Sequence, residues 1–378
     1  CFKLLEDSVK IRLMSDVPLG AFLSGGIDSS IIVALMAKNS SKPVKTFSIG
    51  FDYSDFDETK YAKIIADKYT TEHTELIVTP NYSALIESIL SNFDEPFGDS
   101  SALPTYLVSK LTREYVKVAL SGDGGDELFG GYNSYQEMIK LKSKINLVPS
   151  SLKKIASHYY KYFDSSTKHG KKLRLLGMND IERFLWSSTH FTEDERTVLY
   201  SPEIKERINN SNKAIFKKSV DFIYQNLDIN RLMQYIDFNY YLPDDVLVKV
   251  DRSSMLASLE SRAPFLDHRL IEFAFSLPSE WKMKAGKTKI ILKDAFKQLL
   301  PNEILSRRKM GFGIPVKKWF TDELYGFCQD YLLNDKMRSY FDLKIIRKYL
   351  EEHKSGKFDH SYKLWLLLSF SIWKTRNN

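Results

Sequence analysis

Two cysteines, Cys1 and Cys328, are all that this 378-residue chain contains, and neither belongs to a Cys-x-x-Cys pair. A disulfide framework and a paired-cysteine redox site are therefore excluded. Long apolar runs are equally scarce: the longest, 364–373, is ten residues flanked by Lys363 and Lys374, too short to span a bilayer and suited to a buried helix. No charged-then-apolar leader opens the chain, which makes a cytoplasmic location the expectation and a membrane partner unexpected. Internal repeats and low-complexity tracts are missing too. What is plentiful is apolar and aromatic content, 43% and 13% of residues, enough for a large packed core and for two or three domains.

The net charge of +7 is not spread evenly. Residues 140–218 hold seventeen Lys/Arg against eight Asp/Glu, so this segment accounts for more than the whole excess and the remainder is slightly acidic. Such clusters read as solvated helix faces. The aromatics among them, Tyr159, Tyr160, Tyr162 and Phe163, do not have the spacing of a base-stacking module, and no nucleic-acid partner is expected.

Periodicity divides the chain. Strand-like runs at 17–23, 44–49, 73–78 and 116–120 alternate with helix-like runs at 29–38, 58–68, 81–93 and 104–115, and Thr79-Pro80 has the chemistry of a helix cap and first turn. This βαβ repetition predicts an α/β fold, a doubly wound parallel sheet with helices on both faces. From Tyr132 onward helical periodicity takes over. The expected division is a nucleotide-binding core at 1–135, a basic helical excursion at 136–230, and a helical part completing the site at 231–378.

Two glycine loops follow strands of that sheet. In the first, Ser24-Gly25-Gly26-Ile27-Asp28-Ser29-Ser30, adjacent glycines let the backbone turn sharply toward an anion, while three hydroxyls and the positive end of the next helix add donors. The Gly-Lys-Ser/Thr ending of a Walker loop is absent. An acid, Asp28, occupies the turn instead and reads as a Mg²⁺ ligand between protein and phosphates; the plainer alternative is a β–α turn without a ligand. The second loop, Ser121-Gly122-Asp123-Gly124-Gly125-Asp126-Glu127, continues to Gly130-Gly131. Leu128 and Phe129 break the spacing of a Ca²⁺ loop. At the carboxyl edge of one sheet, Asp28 and Asp126 can share a metal, with Asp123 nearer the reacting groups.

Together these loops resemble the synthetase domain of glutamine-dependent asparagine synthetases, which has an adenine-nucleotide alpha-hydrolase (PP-loop) sheet followed by a helical region. Leu242-Pro-Asp-Asp-Val-Leu-Val-Lys-Val-Asp251-Arg252, Glu260-Ser-Arg-Ala-Pro-Phe-Leu-Asp267 and Gly286-Lys-Thr-Lys289 extend the resemblance from about Leu4 to about Trp319. It implies ATP and Mg²⁺ as cofactors, adenylation of the aspartate side-chain carboxylate with release of pyrophosphate, and attack by ammonia to give asparagine and AMP. By the same resemblance Lys289 stabilises the phosphorus and then the oxyanion, with Lys287 as second choice and a surface lysine as the structural alternative. Asp123 matches an acid that assists adenylation and handles the ammonia proton, one methylene shorter than the Glu of some members. Nucleotide contacts fall on Leu23, Ile49, Ser121 and Gly122 through the main chain, although Leu23 and Ile49 also suit a core. Asp251 and Arg252 fit either the substrate side or a structural ion pair.

Glutamine-using members carry a glutaminase domain ahead of this region, beginning with a cysteine nucleophile. Cys1 is not read as that nucleophile, because an amphipathic helix over 2–12 follows at once and leaves no room for a glutamine pocket. The chain is expected to be part of a longer protein, with ammonia arriving from a glutaminase domain that it lacks, and to form a homodimer at most by analogy. Relatives adenylating another acid, such as β-lactam synthetases and lasso-peptide cyclases, and a nucleotide-binding scaffold without activity are the alternative readings; a tRNA-thiolating relative would need a reactive cysteine pair.

Overall fold

The computed structural model describes residues 1–51, 58–78, 82–163, 167–208, 227–284 and 286–377. The expected cap at Thr79-Pro80 lies outside the described residues. After helix α1 (Phe2–Arg12), the chain runs through β1 (Leu19–Phe22), α2 (Ile27–Asn39), β2 (Lys45–Phe51), α3 (Thr59–Tyr69), β3 (Glu72–Val78), α4 (Tyr82–Leu90), α5 (Ala102–Arg113), β4 (Val118–Leu120) and α6 (Gly125–Phe129). A fifth strand, β5 (Glu260–Arg262), completes one parallel sheet of order β3-β2-β1-β4-β5.

Sequence chemistry accounts for most of these bounds. Pro18 has no N–H to donate, so β1 begins one residue after it, while the Pro18 carbonyl still accepts the Lys117 N–H at 3.0 Å. The apolar run of α2 (Ile31, Ile32, Val33, Leu35) is buried all round, and with Leu5 and Val9 of α1, Ala62 and Ile65 of α3, and Leu270, Leu292 and Phe296 it forms one cluster. Each fully buried side chain of this size contributes about 1.5–3 kcal/mol. α5 packs on β2 and on the helix Val248–Leu256 using residues outside that cluster, so the sheet is covered on both faces, as a parallel sheet requires.

β5 is the strand that periodicity does not reveal. Its residues, Glu260-Ser261-Arg262, have no apolar alternation, and main-chain pairing holds it beside β4: Glu260 N donates to Lys117 O at 3.0 Å and Ser121 N to Arg262 O at 2.8 Å. That second bond anchors the start of the second glycine loop. A π-helical segment, Asp237–Leu247, contains Pro243, whose missing N–H and ring clash explain the widened turn.

Two compact units are present. The first comprises Cys1–Tyr132, Asp237–Val316 and Ile372–Asn378; the second comprises Asn133–Ile236 and Lys317–Ser371. The second is helical and includes the basic stretch, where Lys142 pairs with Asp180 at 2.8 Å, Arg183 with the same Asp180 at 2.6 Å, and Arg174 with Asp194 at 2.7 Å. The apolar run at 364–373 lies in the helix Ser361–Arg376, with Leu364, Trp365 and Leu368 buried. Among the described residues no helix is long and apolar enough to cross a membrane.

Candidate functional site

β1 is the strand from which the chain turns first one way, to β2 and β3, and later the other way, to β4. Reversal of this kind leaves a crevice at the carboxyl ends of the two central strands, because the connections after them go to opposite faces. Both glycine loops leave the sheet there. In the first, Gly26 N donates to Ser24 Oγ at 3.3 Å, Ser24 Oγ and Ser29 Oγ are 3.1 Å apart, and Ser29 Oγ donates to Gly26 O at 3.2 Å. Asp28 then falls in the first turn of α2, buried.

The second loop is in contact with Asp28. A Cβ built on Gly125 would lie 2.6 Å from Asp28 Cγ, and one on Gly131 would lie 1.8 Å from Asp126 Oδ1 and 2.3 Å from Lys289 Cε. These two glycines are required by close approach. Without side chains at either position, Asp28 and Asp126 come together over the crevice.

Between them stands Lys289. It occupies the left-handed region (φ 53°) at the start of the helix Ile290–Phe296, and its ammonium pairs with Asp28 Oδ2 and, at 2.5 Å, with Asp126 Oδ1. Lys309 completes the group, 2.5 Å from Asp126 Oδ2. Two carboxylates thus face two ammonium groups in a buried setting, where separated charges would be strongly unfavourable. Burial raises the Asp28 carboxyl above the ordinary range despite Lys289, with Asp126 adding repulsion. Asp126 is held well below that range: burial opposes this, but Lys289 and then Lys309 outweigh it. The Lys309 ammonium is correspondingly raised by Asp126 and Asp28 against the effect of burial.

Of the two lysines offered by Gly286-Lys-Thr-Lys289, the structure buries Lys289 in this cluster and leaves Lys287 exposed. Asp123 is half-buried two residues before α6. Leu23 is buried just past the end of β1, donating its N–H to Phe47 O at 2.9 Å, whereas Ile49, expected at the end of its strand, is buried inside β2, which continues to Phe51. Ser121 is buried and its Oγ has no hydrogen-bond partner among the described residues; the same holds for Ser30 Oγ in the first loop. Asp251 and Arg252 are exposed, and Arg252 forms its ion pair with Asp94 rather than with its neighbour.

Sequence reasoning passed over Lys309, Arg307 and Glu58. The Arg307 guanidinium stacks 4.0 Å from the Tyr61 ring, pairs with Glu58, and donates to the Ser24 carbonyl at 3.4 Å, tying a distant segment to the first loop. The run Arg307-Arg308-Lys309 was the available signal, but a basic triplet in a coil-like stretch is ordinarily solvated. Among the described residues no three His, Cys, Asp or Glu side chains are grouped to hold a metal. Asp28 and Asp126 nevertheless suit Mg²⁺, which takes one or two carboxylates and completes its shell with phosphate oxygens and water; Asp28 Oδ1 is buried without a partner among the described residues.

The family model for asparagine synthase matches residues 2–375. The chain is 36% identical to asparagine synthetase [glutamine-hydrolyzing] 1 of Bacillus subtilis, an alignment covering 99% of this chain and 58% of that protein. It is 32% identical to a putative asparagine synthetase [glutamine-hydrolyzing] of Mycobacterium tuberculosis over 98% of this chain and 56% of the relative. A putative asparagine synthetase of Methanocaldococcus jannaschii is 38% identical over 67% of this chain and 48% of its own length. The chain thus spans less than three fifths of the length of these curated relatives.

Proposed function

The chain belongs to the asparagine synthase family, and from that premise we propose that it binds Mg²⁺-ATP between its two glycine loops and forms the side-chain amide of aspartate. One observation supports this above the others: the loops meet at the sheet's switch point with Lys289 inserted between their aspartates.

In this reading a β-carboxylate oxygen of aspartate attacks the α-phosphorus of ATP and pyrophosphate leaves. Mg²⁺ held by Asp28 and Asp126 would neutralise phosphate charge. Lys289 faces the charge that develops on the α-phosphoryl oxygens, and Lys309 faces the departing pyrophosphate. The backbone N–H groups and hydroxyls of Ser24, Ser29, Ser30, Ser121 and Gly122 orient the triphosphate, and Leu23 and Ile49 border the adenine through their main chain. Ammonia then attacks the acyl carbon of the adenylate, its surplus proton passes to Asp123, and AMP departs. The relatives' names specify glutamine hydrolysis; in this reading ammonia itself is the group that attacks the adenylate.

The test is pyrophosphate release from ATP with L-aspartate as the varied acid, with and without ammonium chloride, followed by detection of asparagine. Aspartate-dependent release with asparagine formed only when ammonia is supplied is the expected result. Release independent of aspartate, or none with any acid, would overturn the proposal.

A further inference from the structure

A second set of titratable groups lies beside the second loop and has no part in the steps above. Lys249 comes from the helix Val248–Leu256, Asp245 from the π-helical segment, and Asp99 from the turn before α5. Asp99 is well supplied with donors: Ser101 N at 2.8 Å, Ser101 Oγ at 2.5 Å and Lys249 Nζ at 3.0 Å. Its neighbours are not so well matched. The Lys249 side chain is 12% exposed and offers three N–H groups, with Asp99 its one hydrogen-bond acceptor among the described residues. Asp245 Oδ1 is buried and has no partner among the described residues.

An ammonium with donors to spare next to a carboxylate with an unsatisfied oxygen is complementary to a zwitterion. Resting on the adenylation reading above, we propose that this recess recognises the amino-acid head of the substrate, Lys249 binding the α-carboxylate and Asp245 the α-ammonium, with Asp99 as the positioning residue that orients Lys249. The recess adjoins the chemistry. Tyr241 packs edge-on against Tyr132 at 5.8 Å, and the Tyr132 hydroxyl donates to Glu127 Oε1 at 2.6 Å, next to Asp126. Electrostatics agree with the geometry. Burial disfavours the Lys249 charge, but Asp99 and then Asp123 outweigh it and keep the ammonium protonated. Burial, followed by the negative charge of Asp99, pushes Asp245 up to about 7, an imbalance that a bound ammonium relieves.

The experiment compares three acids as acceptors for the whole chain: L-aspartate, succinate, which lacks the ammonium, and β-alanine, which lacks the α-carboxylate. The unmodified protein should prefer L-aspartate to each analogue by on the order of 10²-fold or more in kcat/KM, because a site built to pair a charged group rejects a ligand without it. Lys249→Met should collapse the preference over β-alanine, and Asp245→Asn the preference over succinate, each by on the order of 10²-fold. Ratios within one variant are insensitive to the fraction folded; should Lys249→Met fail to fold by circular dichroism, the neutral and more polar Lys249→Gln supplies the same ratio. Calorimetric binding of L-aspartate without ATP separates this proposal from the one it rests on. Binding weakened by Lys249→Met, with no pyrophosphate release from the unmodified protein, would support the recess and sink adenylation. Equal use of the three acids, or variants that lose all three in proportion, would overturn the recess.

Discussion

At the scale of single residues, the site is a charge balance among four side chains, and their exposures separate their roles. Lys289 is 5% exposed and fixed at a helix start, whereas Lys309 is 34% exposed and reaches in from a coil segment. A buried, preorganised ammonium acts on charge that develops in the transition state. Lys289→Ala should therefore lower turnover by on the order of 10²–10³ with little change in ATP affinity, whereas Lys309→Ala should raise the KM for ATP by roughly tenfold. Separate measurements of nucleotide binding and turnover check both; loss of affinity without loss of turnover in Lys289→Ala would make it a ground-state phosphate contact. Asp28→Asn and Asp126→Asn should each lose most adenylation even at saturating Mg²⁺, and near-normal pyrophosphate release in both would remove the two-aspartate assignment. The aspartates and Lys289 were legible in the sequence because each stands in a spaced motif. Lys309, Lys249 and Asp99 were not, since a charged side chain outside a glycine loop looks the same whether it faces water or a site.

At the scale of elements, glycine positions decide whether the loops can meet. Gly131→Ala places a Cβ on Asp126 and Lys289, so it should abolish adenylation; Gly326→Ala, in the helix Tyr325–Leu332 with nothing within 4 Å, should not. Comparing pyrophosphate release by the two purified variants tests this directly, and a fully active Gly131→Ala would contradict the close approach. A second element-level prediction concerns Asp267, which caps the helix His268–Ser276 by accepting from Arg269 N at 3.1 Å and ties it to α1 through Arg12 at 3.2 Å. Its hydrogen bond to the Arg269 side chain, above all, holds its carboxyl well below the ordinary range. A lowered folded-state pKa contributes stability that is fully present above the unfolded value of about 3.9 and disappears as pH falls through the folded one. Asp267→Asn should cost about 1–2 kcal/mol at pH 7, read as a lower melting temperature, and progressively less than that below about pH 3. A constant difference across that range would show that charge is not the cause.

At the scale of the whole molecule, the proposed reaction joins an acid and an amine, and only the unprotonated amine can attack. Ammonia-dependent asparagine formation should rise toward about pH 9, while aspartate-dependent pyrophosphate release without ammonia should rise far less. Parallel rate profiles for the two would place the pH dependence in adenylation instead. Chain order is a poor guide at this scale: the first unit draws on three separate stretches and the second on two. Lys289 and Lys309 belong to the same unit as the glycine loops although more than 150 residues separate them from Asp126. Such contacts depend on tertiary packing and leave no periodic trace.

The parallel α/β sheet, both glycine loops and their aspartates were determined by the sequence itself, because turn glycines, hydroxyls and alternating apolar runs act over a few neighbouring residues. Tertiary structure alone decided three things. It placed β5 through backbone pairing that no side-chain pattern encodes. It seated Lys289 between the two aspartates by turning that residue into the left-handed region and burying its ammonium. It also brought Asp99, Asp245 and Lys249 together into one charge cluster, because a charge acquires meaning only from the partners and the dielectric that folding sets around it.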